Sequence, residues 1–213
     1  DIRISLFERV FWNLIWNIII RPFPRRMALK WEIPILNLFG AKIHPTAHIY
    51  SSTKIWLPRN LQMDEYSILA DHVEVFNVSN VHLKAHSCVS QYSSISSGSR
   101  SLKNDSFERI SNPIIIEENV WVAAHCLILN GSKIGRESVV GAGSVIRTAI
   151  TPYTIVIGNP PMVVGFRYTL EEMKNKEQNI YKDCNAISTE VLEKNYEKYF
   201  LKRLKEIKKF TRI

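Results

Sequence analysis

The sequence predicts an all-β fold, a parallel β-helix with triangular coils, because two regularities run through its middle. An aliphatic residue returns every sixth position, whereas helices repeat near 3.6 residues and ordinary strands near 2. A small residue stands four positions after nearly every aliphatic one. A sustained period of six is typical of a solenoid in which each repeat forms one side of a coil. The aliphatic positions are Ile43, Ile49, Ile55, Met63, Leu69, Val75, Leu83, Val89, Ile95, Ile116, Val122, Ile128, Ile134, Val140 and Ile146.

The interruptions of the repeat support the same fold because they stay in phase with it. Two extra residues follow the repeat of Ile55, two follow that of Val75, and fifteen follow that of Ile95. Each insertion therefore leaves from the same corner, after every third repeat. The predicted coils are five, namely 43–60, 63–80, 83–100, 116–133 and 134–151. An insertion as long as the one after Arg100 is usually functional or disordered.

The segment before the coils predicts an amphipathic helix over residues 4–20. Its narrow polar stripe is formed by Arg9, Asn13 and Asn17, and Pro22 lies just beyond its end. Such a helix either covers the open end of the solenoid or lies on a membrane surface, and the two roles are compatible. The unbroken apolar stretch is too short to span a bilayer of roughly 30 Å.

The remaining flanks are also expected to be helical. Residues 27–39 predict a second short helix that ends at Gly40, a suitable C-cap residue. From about Thr189 an apolar stripe predicts a C-terminal helix that packs along the solenoid or a neighbouring subunit. The predicted organisation is an N-terminal helical cap (1–42), a β-helix domain (43–168) and a C-terminal helical extension (169–213).

Composition narrows the function classes. The net charge of +8 is spread along the chain without a basic block, so no nucleic-acid partner is expected. The cysteines, Cys88, Cys126 and Cys184, are odd in number and lack a CxxC spacing, which favours a reduced, cytoplasmic protein. A zinc site built from His82, His86 and His125 is the metal alternative, since three histidines and a water form a catalytic zinc set. Only His125 lies in the later coils, so no metal is expected.

Several short segments, some inside the six-residue repeats and some outside them, carry a resemblance to a known family of proteins. They are Trp12-Asn13-Leu14-Ile15-Trp16, Arg21-Pro22-Phe23-Pro24-Arg25, Leu38-Phe39-Gly40-Ala41-Lys42-Ile43, Ser90-Gln91, Gly98-Ser99, Asn112-Pro113-Ile114, Gly141-Ala142-Gly143-Ser144-Val145 and Gly158-Asn159-Pro160. On these residues, which span about 8–167, the chain resembles the hexapeptide-repeat O-acetyltransferases. The resemblance is closest to the branch associated with colanic acid and other exopolysaccharides.

The resemblance implies a homotrimer of parallel left-handed β-helices with active sites between neighbouring subunits. Acetyl-CoA is expected along the C-terminal coils, and the acceptor is expected to be a saccharide or a glycolipid-linked sugar. The implied roles are contacts to the pantetheine arm at Ala123, Ala124, Ala142 and Gly143, contacts to the phosphates at Arg147 and Arg167, and an acceptor or oxyanion contact at Asn77.

One position departs from the family pattern. After Gly98-Ser99 the family has a histidine that acts as general base, whereas this chain has Arg100. An arginine stays protonated, so it cannot be that base, although it can stabilise an anion or anchor a phosphate. His125 is the best candidate for a relocated base. The departure is equally compatible with transfer to an acceptor that needs no histidine, and with a non-catalytic trimeric scaffold.

The expected function is therefore transfer of an acetyl group from acetyl-CoA to a sugar hydroxyl in surface polysaccharide biosynthesis. The alternative is a catalytically degenerate β-helix that binds ligands or partners. A peripheral contact with the cytoplasmic face of the membrane is expected through the N-terminal helix.

Overall fold

The middle of the chain is a left-handed β-helix whose strands form three sheets, one for each side of the coil. The computed structural model describes residues 6–22, 31–101, 106–182 and 185–201. Equivalent strands of successive coils pair in parallel. The β-helix predicted from the six-residue period is confirmed.

The strands are short, as expected when one repeat forms one side. Sheet A contains β1 (Lys42–Ile43), β4 (Leu61–Met63), β7 (Val81–Leu83), β12 (Ile114–Ile116), β15 (Lys133–Ile134) and β18 (Ala149–Ile150). Sheet B contains β2 (His48–Ile49), β5 (Ile68–Leu69), β8 (Cys88–Val89), β13 (Trp121–Val122), β16 (Val139–Val140), β19 (Thr154–Ile157) and the antiparallel β20 (Met162–Phe166). Sheet C contains β3 (Lys54–Ile55), β6 (Glu74–Phe76), β9 (Ser94–Ser96), β14 (Leu127–Leu129) and β17 (Val145–Ile146). The long insertion forms a hairpin of β10 (Gly98–Arg100) and β11 (Arg109–Ser111).

The core is the stack of predicted aliphatic residues, all of which are buried. In sheet C, for example, Ile55, Val75 and Ile95 occupy equivalent register positions in successive coils. Side chains next to them along the strand point outward because residues alternate between the two faces of a strand. The side chains that can contact ligands are therefore those on the outer faces of the sheets.

The coil count differs from the prediction. Five complete coils are followed by two sides of a sixth, since β18 pairs with β15 and β19 pairs with β16. Ile150 follows Ile146 by only four residues, so the last corner is shortened and the six-residue spacing is lost there. The prediction that the fifth coil ends at residue 151 was wrong for this reason. The last strand expected near Ile155 is confirmed as β19.

Two of the three corners turn through a left-handed residue in successive coils, and the corner between sheets C and A does so at Gly131, where φ is 76°. Corner AB, between sheets A and B, has φ values between 53° and 66° at Tyr66, His86, Asn119, Glu137 and Tyr153. Corner BC, between sheets B and C, has φ values between 55° and 70° at His72, Tyr92, His125 and Gly143. The next residue is small and buried, as at Ser93 and Ser144. A larger side chain there would collide with the neighbouring coil, which explains the small-residue rule in the sequence.

The N-terminal helix covers the first coil. α1 (Leu6–Ile15) continues as a π-helical turn (Trp16–Ile20). Nε1 of Trp12 donates to the Ile55 carbonyl oxygen at 2.8 Å, and Nε1 of Trp16 donates to that of Thr53 at 2.8 Å. These carbonyl groups belong to the first-coil strand and its flank, so two buried indoles satisfy part of an otherwise open sheet edge. The predicted cap is confirmed.

The opposite side of α1 is apolar and exposed. The exposed residues are Val10, Phe11, Leu14, Ile18 and Ile19. None of the helices within the described residues is long and apolar enough to cross a membrane.

Further helices lie at both ends of the solenoid. α2 (Glu32–Leu38) covers the later part of the helix predicted over 27–39, and residues 23–30 lie outside the described residues. At the C-terminal end stand α3 (Leu170–Asn179), α4 (Thr189–Tyr196) and a π-helical turn (Glu197–Leu201). Of the predicted C-terminal stripe, Leu192 is buried against Tyr153 and Met173. Leu204 and Ile207 lie outside the described residues.

Candidate active site

The long insertion places Arg100 at the end of a hairpin strand. In the β10–β11 pair, Arg100 stands opposite Arg109. Nη1 of Arg100 donates a hydrogen bond to the Phe107 carbonyl oxygen at 3.0 Å, and the residue is exposed. A guanidinium group provides positive charge and hydrogen-bond donors but takes up no proton. The hairpin can therefore bind an anion, and a base must come from elsewhere.

Corner BC carries a stack of rings. The rings of His72 and Tyr92 stack with centroids 5.0 Å apart, and those of Tyr92 and His125 stack at 5.2 Å. The left-handed backbone at each corner gives successive coils the same side-chain direction, so the rings become nearly parallel. The next residue of this column is Gly143, where an added methyl group would meet nothing within 4 Å. The last imidazole of the stack is therefore beside an open position.

The predicted pantetheine positions come together at this same corner. The amide of Gly143 donates to the Ala124 carbonyl oxygen at 3.0 Å, which joins the two coils. Ala123 and Ala124 are half-buried, whereas Ala142 and Gly143 are exposed. Small side chains on both coils leave a shallow path along the backbone, next to the His125 ring. A thin, linear ligand with amide groups fits such a path because backbone groups can pair with its amides.

Asn77 is placed differently from its prediction. Its side chain is fully buried, its Oδ1 accepts from the Leu57 amide at 2.9 Å, and its Nδ2 donates to the Leu57 carbonyl oxygen at 2.6 Å. The amide thus joins two coils at the corner between sheets C and A. It does not face the outer surface, so the predicted acceptor or oxyanion contact does not agree with this structure.

The comparisons with known proteins agree with the six-residue repeat. The family described as bacterial transferase hexapeptide (six repeats) matches residues 113–148, which contain the open part of corner BC. The putative colanic acid biosynthesis acetyltransferase WcaF of Escherichia coli (strain K12) is 32% identical over 146 residues, covering 68% of this chain and 80% of the relative. The chain belongs to the hexapeptide-repeat acetyltransferases.

Solved structures share the fold of this family member. A maltose O-acetyltransferase from Clostridium difficile 630 aligns with a TM-score of 0.67 at 20% identity, covering 76% of this chain and 87% of that one. The acetyltransferase VCA0836 from Vibrio cholerae, complexed with acetyl-coenzyme A, aligns with a TM-score of 0.63 at 21% identity, covering 76% and 88%.

The two arginines predicted to meet phosphates lie in different places. Arg147 is exposed directly after β17, at the opposite end of that strand from Gly143. Arg167 lies at corner AB, where its Nη1 donates to the Asn119 carbonyl oxygen at 2.8 Å and lies 3.4 Å from the Glu137 carboxylate. Arg147 therefore lies one side of the coil away from the small residues of corner BC. The structure does not bring Arg167 to those small residues within this subunit.

The three histidines of the zinc alternative are not gathered within one subunit. Nε2 of His82 lies 2.8 Å from the Asp64 carboxylate on sheet A, His86 stacks on Tyr66 at corner AB, and His125 is at corner BC. Among the described residues, no group of three histidine, cysteine or acidic side chains could hold a metal ion.

The cysteines do not form a reactive site in the part of the chain that the structure describes. Cys88 and Cys126 are free thiols, and Cys184 lies outside the described residues. Burial raises the pKa of both described thiols above the ordinary 9.0, with hydrogen bonds opposing it. A protonated thiol is a weak nucleophile, so these two cysteines serve as small residues of the solenoid.

Sequence reasoning missed the polar network that holds the C-terminal helices. Glu137 is buried at corner AB, and its carboxylate accepts from Tyr181 at 2.8 Å and from Lys176 at 2.9 Å. Glu177 is also buried and accepts from the hydroxyl group of Tyr153. The available signal was a glutamate at a corner position, immediately before the small residue, where solvent-facing residues were expected. The network covers corner AB and leaves corner BC open.

Proposed function

We propose that this protein transfers an acetyl group from acetyl-CoA to a hydroxyl group of a saccharide in surface polysaccharide biosynthesis. The observation that carries the proposal is the open corner BC, where a path of small residues passes an exposed imidazole. Membership of the family, with a relative named for colanic acid biosynthesis, supports the reaction class.

The reaction needs a base, a bound thioester and a stabilised oxyanion. Acetyl-CoA lies along Ala123, Ala124, Ala142 and Gly143, so that its thioester reaches the edge of the His125 ring. An imidazole takes up protons at neutral pH, and His125 removes the proton of the acceptor hydroxyl group. The hydroxyl oxygen attacks the thioester carbonyl carbon, and backbone amides stabilise the oxyanion. The carbon–sulfur bond then breaks, and the coenzyme A thiolate takes the proton from the imidazolium.

The assembly proposed for this reaction is a homotrimer with sites between neighbouring solenoids. In that arrangement the hairpin of one subunit lies near corner BC of its neighbour, and the Arg100 guanidinium binds a negatively charged part of a ligand. The exposed apolar side of α1 contacts the membrane surface that carries a glycolipid acceptor. Arg147 contacts the phosphates of acetyl-CoA.

The second candidate function is a non-catalytic trimeric scaffold. The observation that favours it is Arg100, since its guanidinium stands at the position where the family has a histidine. Calorimetric titration with acetyl-CoA separates the two candidates because it requires no knowledge of the acceptor. Micromolar binding with one site per subunit is expected for the transferase, whereas a folded trimer that binds no acetyl-CoA leaves the scaffold as the better explanation.

Two substitutions test the roles within the site. His125→Ala is expected to abolish transfer, or hydrolysis of acetyl-CoA if no acceptor is found, while acetyl-CoA affinity stays near that of the wild type. The matched control is His72→Ala, which removes the imidazole at the other end of the same stack. If the two variants behave alike, His125 is not the base. Arg100→His, compared with Arg109→His, tests whether the family's base position can be restored.

A further inference from the structure

A second cavity lies on the outer face of sheet C, far from corner AB. It is a cleft of about 570 Å³ between sheet C and the helix formed by α1 and its π-helical turn, and we call it the α1 cleft. Its helix side is polar. Asn13 and Asn17 are one turn apart, Nδ2 of Asn17 donates to the Asn13 carbonyl oxygen, and Nη1 of Arg21 donates to Asn17 Oδ1 at 3.3 Å. The polar stripe of this otherwise apolar helix therefore faces the cleft.

The sheet side of the α1 cleft combines rings with a charge pair. Trp56 and Phe76 project outward from successive coils, with ring centroids 4.8 Å apart and planes inclined by 57°. Phe76 is 39% exposed and Trp56 is half-buried. Beside them Lys54 and Glu74 form an ion pair at 2.6 Å that is open to solvent. Rings, an ammonium group and a carboxylate thus line one wall, and amide and guanidinium groups line the other.

The cleft continues towards the hairpin of the proposed reaction site. A methyl group added at Gly98 would lie 3.0 Å from the Phe76 ring, so this glycine lets β10 pass close to the ring. The strand that begins there ends at Arg100. Neighbouring coils are about 4.8 Å apart, so Phe76 lies a single coil from the base of the hairpin. A ligand of a few linked units can reach from one to the other.

The side chains that line the α1 cleft are suited to binding a saccharide. A pyranose ring has an apolar face of C–H groups and a rim of hydroxyl groups that both donate and accept. Aromatic rings bury the apolar face, while amide, carboxylate, ammonium and guanidinium groups pair with the rim. An acyl chain would take water from the solvent-exposed Lys54–Glu74 pair and from the Asn17 and Arg21 side chains and would offer no hydrogen bonds in its place, which is costly. The volume is in the range of ordinary small-molecule sites.

We propose that the α1 cleft is a saccharide-binding subsite, which holds a sugar unit of the acceptor next to the unit that is acetylated. The identity of this sugar as part of the acceptor rests on the proposed function. Binding itself does not, because the rings and polar groups of the cleft are independent of corner BC. The cleft gives a role to the exposed Asn13 and Asn17, which lie beside the buried indoles of the helix and border the cleft.

The test is saccharide binding to the full-length protein without acetyl-CoA. The probes are maltotetraose, cellotetraose and a galacto-oligosaccharide, followed by saturation-transfer NMR and by tryptophan fluorescence. At least one probe is expected to bind saturably. Trp56→Ala and Phe76→Ala are each expected to weaken that binding by about tenfold or more, and Asn17→Ala is expected to weaken it less. The control is Tyr66→Ala, which removes a 53% exposed ring from corner AB.

The outcomes separate this subsite from the proposed function. Saturable binding that depends on Trp56 and Phe76 supports the subsite even if acetyl-CoA does not bind. Acetyl-CoA binding without saturable binding of any probe up to roughly 50 mM overturns the subsite and leaves the proposed function standing. Binding that Tyr66→Ala weakens as much as Trp56→Ala also overturns it. Unchanged tryptophan fluorescence with every probe that binds also overturns it, because a sugar held against the Trp56 ring would change the surroundings of that ring.

Discussion

Neutralising Glu137 is expected to release the C-terminal helices from the solenoid. The side chain of Glu137 is 2% exposed, and its two oxygens are shared by several donors. Oε1 accepts from Tyr181 at 2.8 Å and from Lys176 at 2.9 Å, and Oε2 accepts from Tyr168 at 3.0 Å. The Arg167 guanidinium lies 3.4 Å away. These four partners all belong to the segment after the last coil, so this carboxylate joins that segment to corner AB at several points.

The magnitude follows from the partners. Glu137→Gln keeps the shape of the side chain, but its amide nitrogen cannot accept the hydrogen bond that a carboxylate oxygen accepted. A hydrogen bond to a charged group contributes about 1.5–3 kcal/mol. Lys176 and Arg167 are partly exposed, so solvent screens their ion pairs and reduces their contribution. The expected loss is about 3 kcal/mol, the lower end of the cost of breaking a buried ion pair.

The assay is proteolysis under native conditions, because the C-terminal segment is rich in lysine. If opening is fast compared with cleavage, the rate of cleavage by trypsin within residues 170–201 follows the population of the open form. A loss of about 3 kcal/mol then raises that rate about a hundredfold. Glu118→Gln is the matched control, since Glu118 pairs with Lys84 at 3.0 Å in a partly exposed site and its loss costs about 0–1 kcal/mol. Equal cleavage rates in the two variants would refute the reasoning.

Three further predictions concern stability and reactivity. Burial, with a hydrogen bond to the Glu137 carboxylate, raises the pKa of Tyr181 above the ordinary 10.0. The folded state then holds this proton more tightly than the unfolded state, so the contribution of Tyr181 to the free energy of unfolding is complete below pH 10 and falls above it. The midpoint of urea unfolding should therefore be lower at about pH 11 than at about pH 9, and this difference should be smaller in Tyr181→Phe than in the wild type. Gly135→Ala places a methyl group 2.6 Å from the Pro152 nitrogen and should cost about 1–3 kcal/mol in thermal unfolding, whereas Gly165→Ala, with nothing within 4 Å, should not. Cys126, whose pKa burial raises, should alkylate at pH near 8 at least about tenfold more slowly in native than in denatured protein, as peptide mass spectrometry can measure.

The fold could be predicted because the same packing contacts recur in every coil of a β-helix. Each aliphatic residue packs against the equivalent residue of the next coil, so the six-residue period occurs many times in the sequence. The sixth partial coil could not be predicted, because the shortened corner before Ile150 appears only once. The hairpin of the long insertion was missed for a related reason. Its strands are three residues long and carry arginines on both sides, so no repeat or apolar pattern marks them.

The candidate site was predicted in part. The sequence could place Ala124, His125 and Gly143 at one corner, because their positions follow from the same period. It could not show that Asn77 points inward, since a corner amide can serve either the backbone or the surface. It could not show that Arg167 is held at corner AB, because its partner Glu137 lies thirty residues earlier and only the folded chain joins them.

A comparison of corners AB and BC in the fifth coil shows why the C-terminal segment covers corner AB and leaves corner BC open. Glu137 and Gly143 occupy equivalent positions, with φ of 61° and 70°. The buried carboxylate at corner AB needs cationic and hydroxyl partners, since an unpaired charge there would be costly, and residues 167–181 of the C-terminal segment supply them. The glycine at corner BC needs no partner and leaves no side chain above the last imidazole of the stack. Because the two corners otherwise have the same backbone conformation, the Glu137 carboxylate makes corner AB the place where the chain's own C-terminal segment packs. The glycine leaves the other free for a ligand, and this difference explains why the proposed reaction site lies on only one of them.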